Sequence, residues 1–250
     1  MAKLNITIGY TDPRPDQTFI NLVRNICSNR PLANDPPEIQ IVQLAKHNIR
    51  TFINAVENVR ETIHAGHSAP SFPEDYFFNL IVFDIKKLHK AYDIIPLLIK
   101  ELKGIDCALL LLNVNTNEFN SIVLKYDGTD TTYNSILSFA KLFPNKAKNV
   151  KSSTLISPFA FKRSKVAAEK MFVKKVSTYY GDLGFIKLPL DSVNDFCNYA
   201  LKNQADLLVL SKGDLYELAQ LFSNGSFRHF NGLSVFISTG SLSNFRIDAG

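Results

Sequence analysis

Phe78–Asp84 reads FNLIVFD, and Ala205–Ser211, offset by 127 positions, reads ADLLVLS. Both are short apolar runs without strict alternation, as expected of strands covered on both faces of a sheet. The same offset moves CALLL from Cys107 onto SVFIS from Ser234. Two separate strands sharing one offset point to a duplicated segment rather than to chance likeness of apolar runs. Nearer the start, ITIGY from Ile6 resembles IVLKY from Ile122 at an offset of 116, each opening a half with a strand. The change of offset makes the first copy shorter in its middle by about a helical turn or a loop. The halves meet near Val114–Asn120, which predicts domains at 1–115 and 116–240 and a polar tail at 241–250.

Working outward, strands are predicted at Leu4–Tyr10, Ile39–Leu44, Leu80–Phe83, Ala108–Leu112, Ser121–Tyr126, Ser153–Ile156, Gly184–Leu188, Leu207–Leu210 and Leu233–Ser238. Helical patterns separate them, the signature of βαβ units and a mostly parallel sheet. Tyr133, Ile136, Leu137 and Ala140 share one helical face ahead of Pro144. Val193, Phe196, Cys197, Ala200 and Leu201 share another behind an Asp191 or Ser192 cap. A third helix is predicted over Asn48–His64, broken by a loop over Ala65–Pro73. The 21 residues from Asp84 to Gly104 read as an amphipathic helix.

The bulk properties narrow the function classes. At 250 residues, 46% hydrophobic and 20% charged, the chain is of ordinary globular composition and long enough for two modest cores. Its net charge is +5, and the densest basic run, Lys162 to Lys175, reads as a solvated helix face interrupted by Glu169. No aromatic stacking pattern accompanies that run, so no nucleic-acid partner is expected. Cys27, Cys107 and Cys197 lack CxxC spacing and read as reduced, buried thiols. His64 and His67 flank a loop as HAGH without a third ligand, so no metal is expected. The start, MAKLNITIGY, is strand-like, and the longest apolar stretch, Cys107–Leu112, is too short to cross a bilayer. A cytoplasmic protein without membrane contact is expected.

Three further stretches carry a family resemblance. Ile122–Ala140, IVLKYDGTDTTYNSILSFA, resembles the opening strand, Asp-Gly-Ser/Thr turn and helix of universal stress proteins. Asp191–Ser211, DSVNDFCNYALKNQADLLVLS, resembles that family's entry to its fourth strand. Gly225–Ser238, GSFRHFNGLSVFIS, resembles its Gly-Ser turn and closing strand. The likeness spans about 120–239 and, more weakly, 3–113. It implies two tandem flavodoxin-like or Rossmann-like domains, each a parallel five-stranded sheet with helices on both faces. It also implies pairing of the last strands, Ala108–Leu112 and Leu233–Ser238, within one chain, with a homodimer as the further possibility.

The resemblance implies a nucleotide site in the second domain as well. Asp127, Gly128 and Thr129 stand where the family approaches adenine, and Ser211, Gly213, Gly225 and Ser226 stand along its phosphate loop. The loop departs from the family's Gly-x2-Gly-x9-Gly-Ser/Thr pattern. Ser211 replaces the first glycine, Asp214 the second, and Gly225 is late by one position. A carboxylate there repels a triphosphate. In the first domain Thr11-Asp12-Pro13 follows the opening strand, and no glycine follows Phe83 before Gly104. No Walker A loop, G-x-S-x-G elbow or SGGxDS-like turn is present, so no catalysis is expected. The sequence therefore predicts a non-enzymatic regulatory or partner-binding protein with a degraded nucleotide site and no required cofactor. The alternative is a stress sensor that binds ATP, AMP or another adenine nucleotide.

Overall fold

The structure, a computed structural model, describes residues 3–10, 16–28, 38–43, 49–54, 77–88, 95–102, 105, 107–115, 118–158, 166–230 and 232–239. The chain begins with β1 (Lys3–Tyr10), α1 (Gln17–Ser28), β2 (Glu38–Gln43) and helical residues 49–54 (α2). It continues through β3 (Phe77–Asp84), α3 (Ile85–Leu88), α4 (Ile95–Leu102) and β4 (Ala108–Leu112). Next come β5 (Ser121–Lys125), α5 (Asp130–Leu142), α6 (Pro144–Lys148), β6 (Ser152–Ser157) and α7 (Val166–Val176). The last elements are β7 (Leu183–Lys187), α8 (Val193–Lys202), β8 (Leu207–Ser211), α9 (Leu215–Ser223) and β9 (Ser234–Ser238). The predicted helix over Asn48–His64 is described only at 49–54, and the predicted loop at Ala65–Pro73 lies outside the described residues. The Asp84–Gly104 segment is helical at both ends, with 89–94 outside the description.

Local signals place the helices well. Thr129 caps α5, its hydroxyl accepting the Thr132 N–H, and Pro144 prevents α5 from continuing. Ser192 caps α8, with Asp195 closing a reciprocal capping box.

All nine strands form one sheet in the order β2-β1-β3-β4-β9-β8-β5-β6-β7. Every pairing is parallel except β4 with β9, which is antiparallel. The sequence implies a five-stranded sheet in each half with the last strands paired; the structure shows that pairing, and through it four described strands of the first half and five of the second form a single continuous sheet. The physical reason lies in β4 and β9. Each would otherwise expose a row of backbone N–H and C=O groups, and each satisfies the other's. Leu110 lies opposite Phe236 in that junction, and Ala108 opposite Ser238.

The register refines the internal correspondence. Ile6 pairs with Leu80, and Ile122 pairs with Leu207, so both the 116 and the 127 offsets hold across adjacent strands. Leu80 then pairs with Ala108 but Leu207 with Ser234, an offset of 126 for the closing strand. The sequence offset of 127 is therefore wrong by one residue at β9. It would equate Ala108 with Val235, and these point to opposite faces of the sheet. A slip of one residue inverts a strand's faces, which sequence likeness among five apolar residues does not detect.

Each face buries a core. Phe83, Leu111, Leu210 and Ile237 pack beneath α2, α4, α8 and α9, while Val82, Leu110, Leu124 and Phe236 pack beneath α1, α5 and α7. Cys27, Cys107 and Cys197 are buried within these cores and form no disulfide, and burial, aided by the charge of Glu217, pushes Cys197 up to about 12. The basic run is not wholly a solvated face. Glu169 on α7 is buried, and Lys175 donates to the Tyr133 hydroxyl at 2.8 Å. Among the described residues no helix is long and apolar enough to cross a membrane.

Candidate ligand site

β5 and β8 lie side by side and parallel, but the chain leaves them in opposite directions, toward β6 on one side and β9 on the other. Such a divergence opens a crevice beyond the carboxyl ends of the two strands, where ligands of open α/β sheets usually bind. Lys125 closes β5 and Ser211 closes β8, so both stand at that crevice.

Asp127 and Thr129 organise its β5 side. Asp127 Oδ1 accepts the Thr129 N–H at 2.9 Å, the Thr129 hydroxyl at 2.6 Å and the Thr132 hydroxyl at 2.8 Å. Gly128 between them has φ 79°, a left-handed conformation that glycine adopts without strain. Burial pushes the Asp127 carboxyl up, but the Thr129 and Thr132 hydrogen bonds, with the charge of Lys125, more than offset it. Its pKa therefore lies below the ordinary value of 3.8. Because the folded pKa is depressed, ionised Asp127 stabilises the fold above that value and stops doing so as pH falls through the folded pKa. Asp127→Asn is expected to melt below the wild type at pH 7, with the gap closing as pH falls below 4. Melting curves across pH 2 to 7 check this, and a gap that widens on acidification contradicts it.

The β8 side is organised by Asp214. Its Oδ2 accepts the Ser211 N–H and the Ser211 hydroxyl, each at 2.8 Å, and its Oδ1 forms an ion pair with Lys125. Gly213 is exposed, and a Cβ there would meet only Ser211 Oγ at 3.5 Å, so no close backbone approach requires a glycine. Behind these groups Ser135 Oγ donates to the Leu210 carbonyl and accepts the Ser238 N–H, fixing α5 to β8 and β9. Farther along the same rim, buried Glu169 accepts the Ser157 hydroxyl at 2.8 Å and the Lys187 ammonium at 2.9 Å. Tyr126 stacks on Phe172 at 4.2 Å below them.

Asp127, Gly128 and Thr129 follow β5, and Ser211 and Gly213 end and follow β8, so all five stand at the carboxyl ends of two adjacent parallel strands. Gly225 and Ser226 are not brought there. β8 and β9 are parallel, so α9 must carry the chain back from the carboxyl end of β8 to the start of β9, about 13 Å over its length. Gly225, with φ 74° and nothing within 4 Å of a built Cβ, serves as the left-handed residue that ends α9. Ser226 begins the next short 3-10 turn. A reading along the sequence misses Lys125 and the two ion pairs. Its available signals are a lysine ending an apolar strand and the Ser-x-x-Asp spacing of Ser211 and Asp214, a capping pattern.

The corresponding crevice between β1 and β3 is filled differently. The register equates Gly9 with Lys125, and a Cβ at Gly9 would lie 1.9 Å from the Phe83 ring, itself 5.7 Å from Phe52. Beyond it Lys87 pairs with Asp16 at 3.3 Å; that hydrogen bond leads the effects holding the Asp16 carboxyl below its ordinary value. Thr11, Asp12 and Pro13 lie outside the described residues, as do His64 and His67. Among the described residues no group of three or more His, Cys, Asp or Glu is placed to hold a metal.

No protein-family model matches the chain, and no curated protein matches it by sequence. Among solved structures it is similar to a universal stress protein from Archaeoglobus fulgidus, with a TM-score of 0.51 and 12% identity over 94% of this chain and 96% of that one. The N-terminal domain of trehalose-6-phosphate phosphatase from Candida albicans superposes at a TM-score of 0.27 and 10% identity, covering 90% of this chain and 81% of that one. The first likeness shows a shared α/β fold; the second is too weak to carry an argument.

Proposed function

We propose that the chain is a tandem universal-stress-protein-like module, residues 1–115 and 116–240, that regulates by binding a partner and does not catalyse a reaction. One observation carries this reading. Outward from the β4–β9 junction the strands run closing, preceding, first and second in both directions, with Ile6–Leu80 and Ile122–Leu207 in equivalent register. The likeness to a universal stress protein over nearly the whole chain supports the same reading.

The crevices support a degraded ligand site. Lys125–Asp214 spans the crevice between β5 and β8, and Asp16–Lys87 the one between β1 and β3. Lys87 stands 127 positions before Asp214, so a cation in the first half and an anion in the second hold that one equivalent place, while Lys125 corresponds to Gly9 rather than to Asp16. An internal ion pair in each crevice competes with any charged ligand. With both closing strands used inside the chain, we take the working unit as a monomer in the cytoplasm, with a homodimer through the outer edges as the alternative.

A second reading, an adenine-nucleotide sensor, draws on Asp127 and Ser211 standing together where the chain diverges. Thermal unfolding with millimolar ATP and magnesium, together with native mass spectrometry of the purified chain, separates the two. The expected result is no retained nucleotide mass and a Tm unchanged within about 1 °C, for wild type and Asp127→Ala alike. A ligand at a hundred times its Kd adds about 2.7 kcal/mol of stability, so a nucleotide-dependent rise in Tm would establish the sensor instead.

A further inference from the structure

Lysines crowd the end of the second half that lies away from the Lys125–Asp214 pair. Residues 141–151 and 174–181 carry six of them and no carboxylate. The chain's net charge of +5 less these six leaves −1 for everything else, so the excess positive charge sits in two short segments. The fold lays those segments side by side. Lys141 stands in the last turn of α5, Lys146 and Lys148 on α6, Lys151 just before β6, and Lys174 and Lys175 in the last turn of α7. The turn after α7 rests on α6. The Gly181 N–H donates to the Ala147 carbonyl at 3.1 Å, and a Cβ at Gly181 would lie 2.2 Å from the Lys148 carbonyl oxygen. The Tyr180 hydroxyl fixes the same turn to α5, donating to the Ile136 carbonyl at 2.9 Å.

Lys148, Lys151 and Lys174 are exposed. The end of α7 does not need its ammonium groups, because the Ser177 and Thr178 hydroxyls donate to the Lys174 and Lys175 carbonyls, each at 2.7 Å. Crowding is felt at Lys141, which burial and the charge of Lys175 push down to about 8. Among the described residues of the second half, the carboxylates at this end are Glu118, Asp182 and Asp206, and Asp206 already accepts the Asn120 and Ser121 N–H groups.

We propose that this lysine face docks an acidic protein segment, a run of chain rich in Asp and Glu. The inference rests on the reading of the molecule as a partner-binding module and supplies the chemistry of the partner. Complementary charge steers the encounter of two such surfaces and sets their register. A nucleic acid fits less well. The cluster has no arginine for bidentate phosphate contacts, and its aromatic side chains, Tyr179 and Tyr180, are half-buried and buried rather than presented for base stacking. A bilayer fits less well too. The large apolar side chain exposed beside the cluster is Met171, 74% exposed and one turn before Lys175, a single small anchor. A lone thioether suits an adaptable peptide contact.

Fluorescence anisotropy with a labelled peptide of Asp, Glu and Ser, and with its Asn, Gln and Ser counterpart, provides the test. The full chain is compared as wild type, Lys148→Glu/Lys151→Glu and Lys100→Glu/Lys202→Glu. The last pair is also exposed, lies on α4 and α8 across the sheet, and changes the net charge equally. Wild type is expected to bind the acidic peptide and not the neutral one, with affinity falling as salt rises from about 50 to about 200 mM. Lys148→Glu/Lys151→Glu is expected to weaken binding roughly tenfold, and Lys100→Glu/Lys202→Glu less than about twofold. The proposal fails if wild type ignores the acidic peptide, if both double variants lose affinity alike, or if duplex DNA or phosphatidylserine vesicles bind more tightly than the peptide. Failure of the proposed function would show instead as a nucleotide-dependent rise in Tm, whatever the peptide result.

Discussion

Phe236→Ala is expected to destabilise the protein by about 4 kcal/mol, on the order of 10 °C in Tm, the largest effect of any single truncation considered. Phe236 is fully buried in β9 and lies opposite Leu110 across the antiparallel junction. Its ring meets Phe139 edge-on at 5.2 Å and Phe143 at 6.2 Å, so its removal leaves a cavity walled by two rings held on α5 and at its end. Aromatic edge contacts of this kind add to the loss of buried area. Met171→Ala, at a side chain that is 74% exposed, should stay within about 0.5 kcal/mol. Urea unfolding measures both. A Phe236→Ala cost below 1 kcal/mol would mean that the junction is not packed as described.

Lys125→Met should cost about 3 kcal/mol, because it keeps the apolar stem but leaves the Asp214 carboxylate buried without its cation. The loss is one of mismatch rather than of an intrinsically strong bond. Removing one member of a buried pair is far more damaging than replacing both. Lys125→Met/Asp214→Asn should therefore recover most of the stability, since the asparagine carbonyl can still accept from Ser211 while carrying no charge. Chemical denaturation of both variants with unchanged m-values is the appropriate measurement. A double variant no more stable than Lys125→Met would show that the ion pair is not what holds this end of β5 to the start of α9.

The strands were legible because each is a short apolar run between turn residues. Ala108–Leu112 matches its predicted bounds, and Leu207 and Ser238 are predicted ends that the structure keeps. The caps at Thr129 and Ser192 were legible for a similar reason, since capping chemistry is local. Other features depend on partners distant in sequence. Nothing near Glu169 indicates that it turns inward to Ser157 and Lys187. Nothing in SVFIS fixes which of its residues face α5, so the offset at β9 slipped by one. Asp214 was visible as a departure from a glycine, but its attraction for Lys125 was not, because 89 residues separate them. Gly225 was placed by motif order, and the length of α9 moved it to the opposite end of the strand.

The antiparallel contact between β4 and β9 also sets which way the two crevices look. All strands of the first half run one way and all those of the second half run the other. The Asp16–Lys87 clamp and the Lys125–Asp214 clamp consequently sit on opposite rims of a common slab. One small molecule cannot bridge them, and an event at either reaches the other only through the strands of the shared sheet. A macromolecule engaging both would have to embrace the slab from top to bottom.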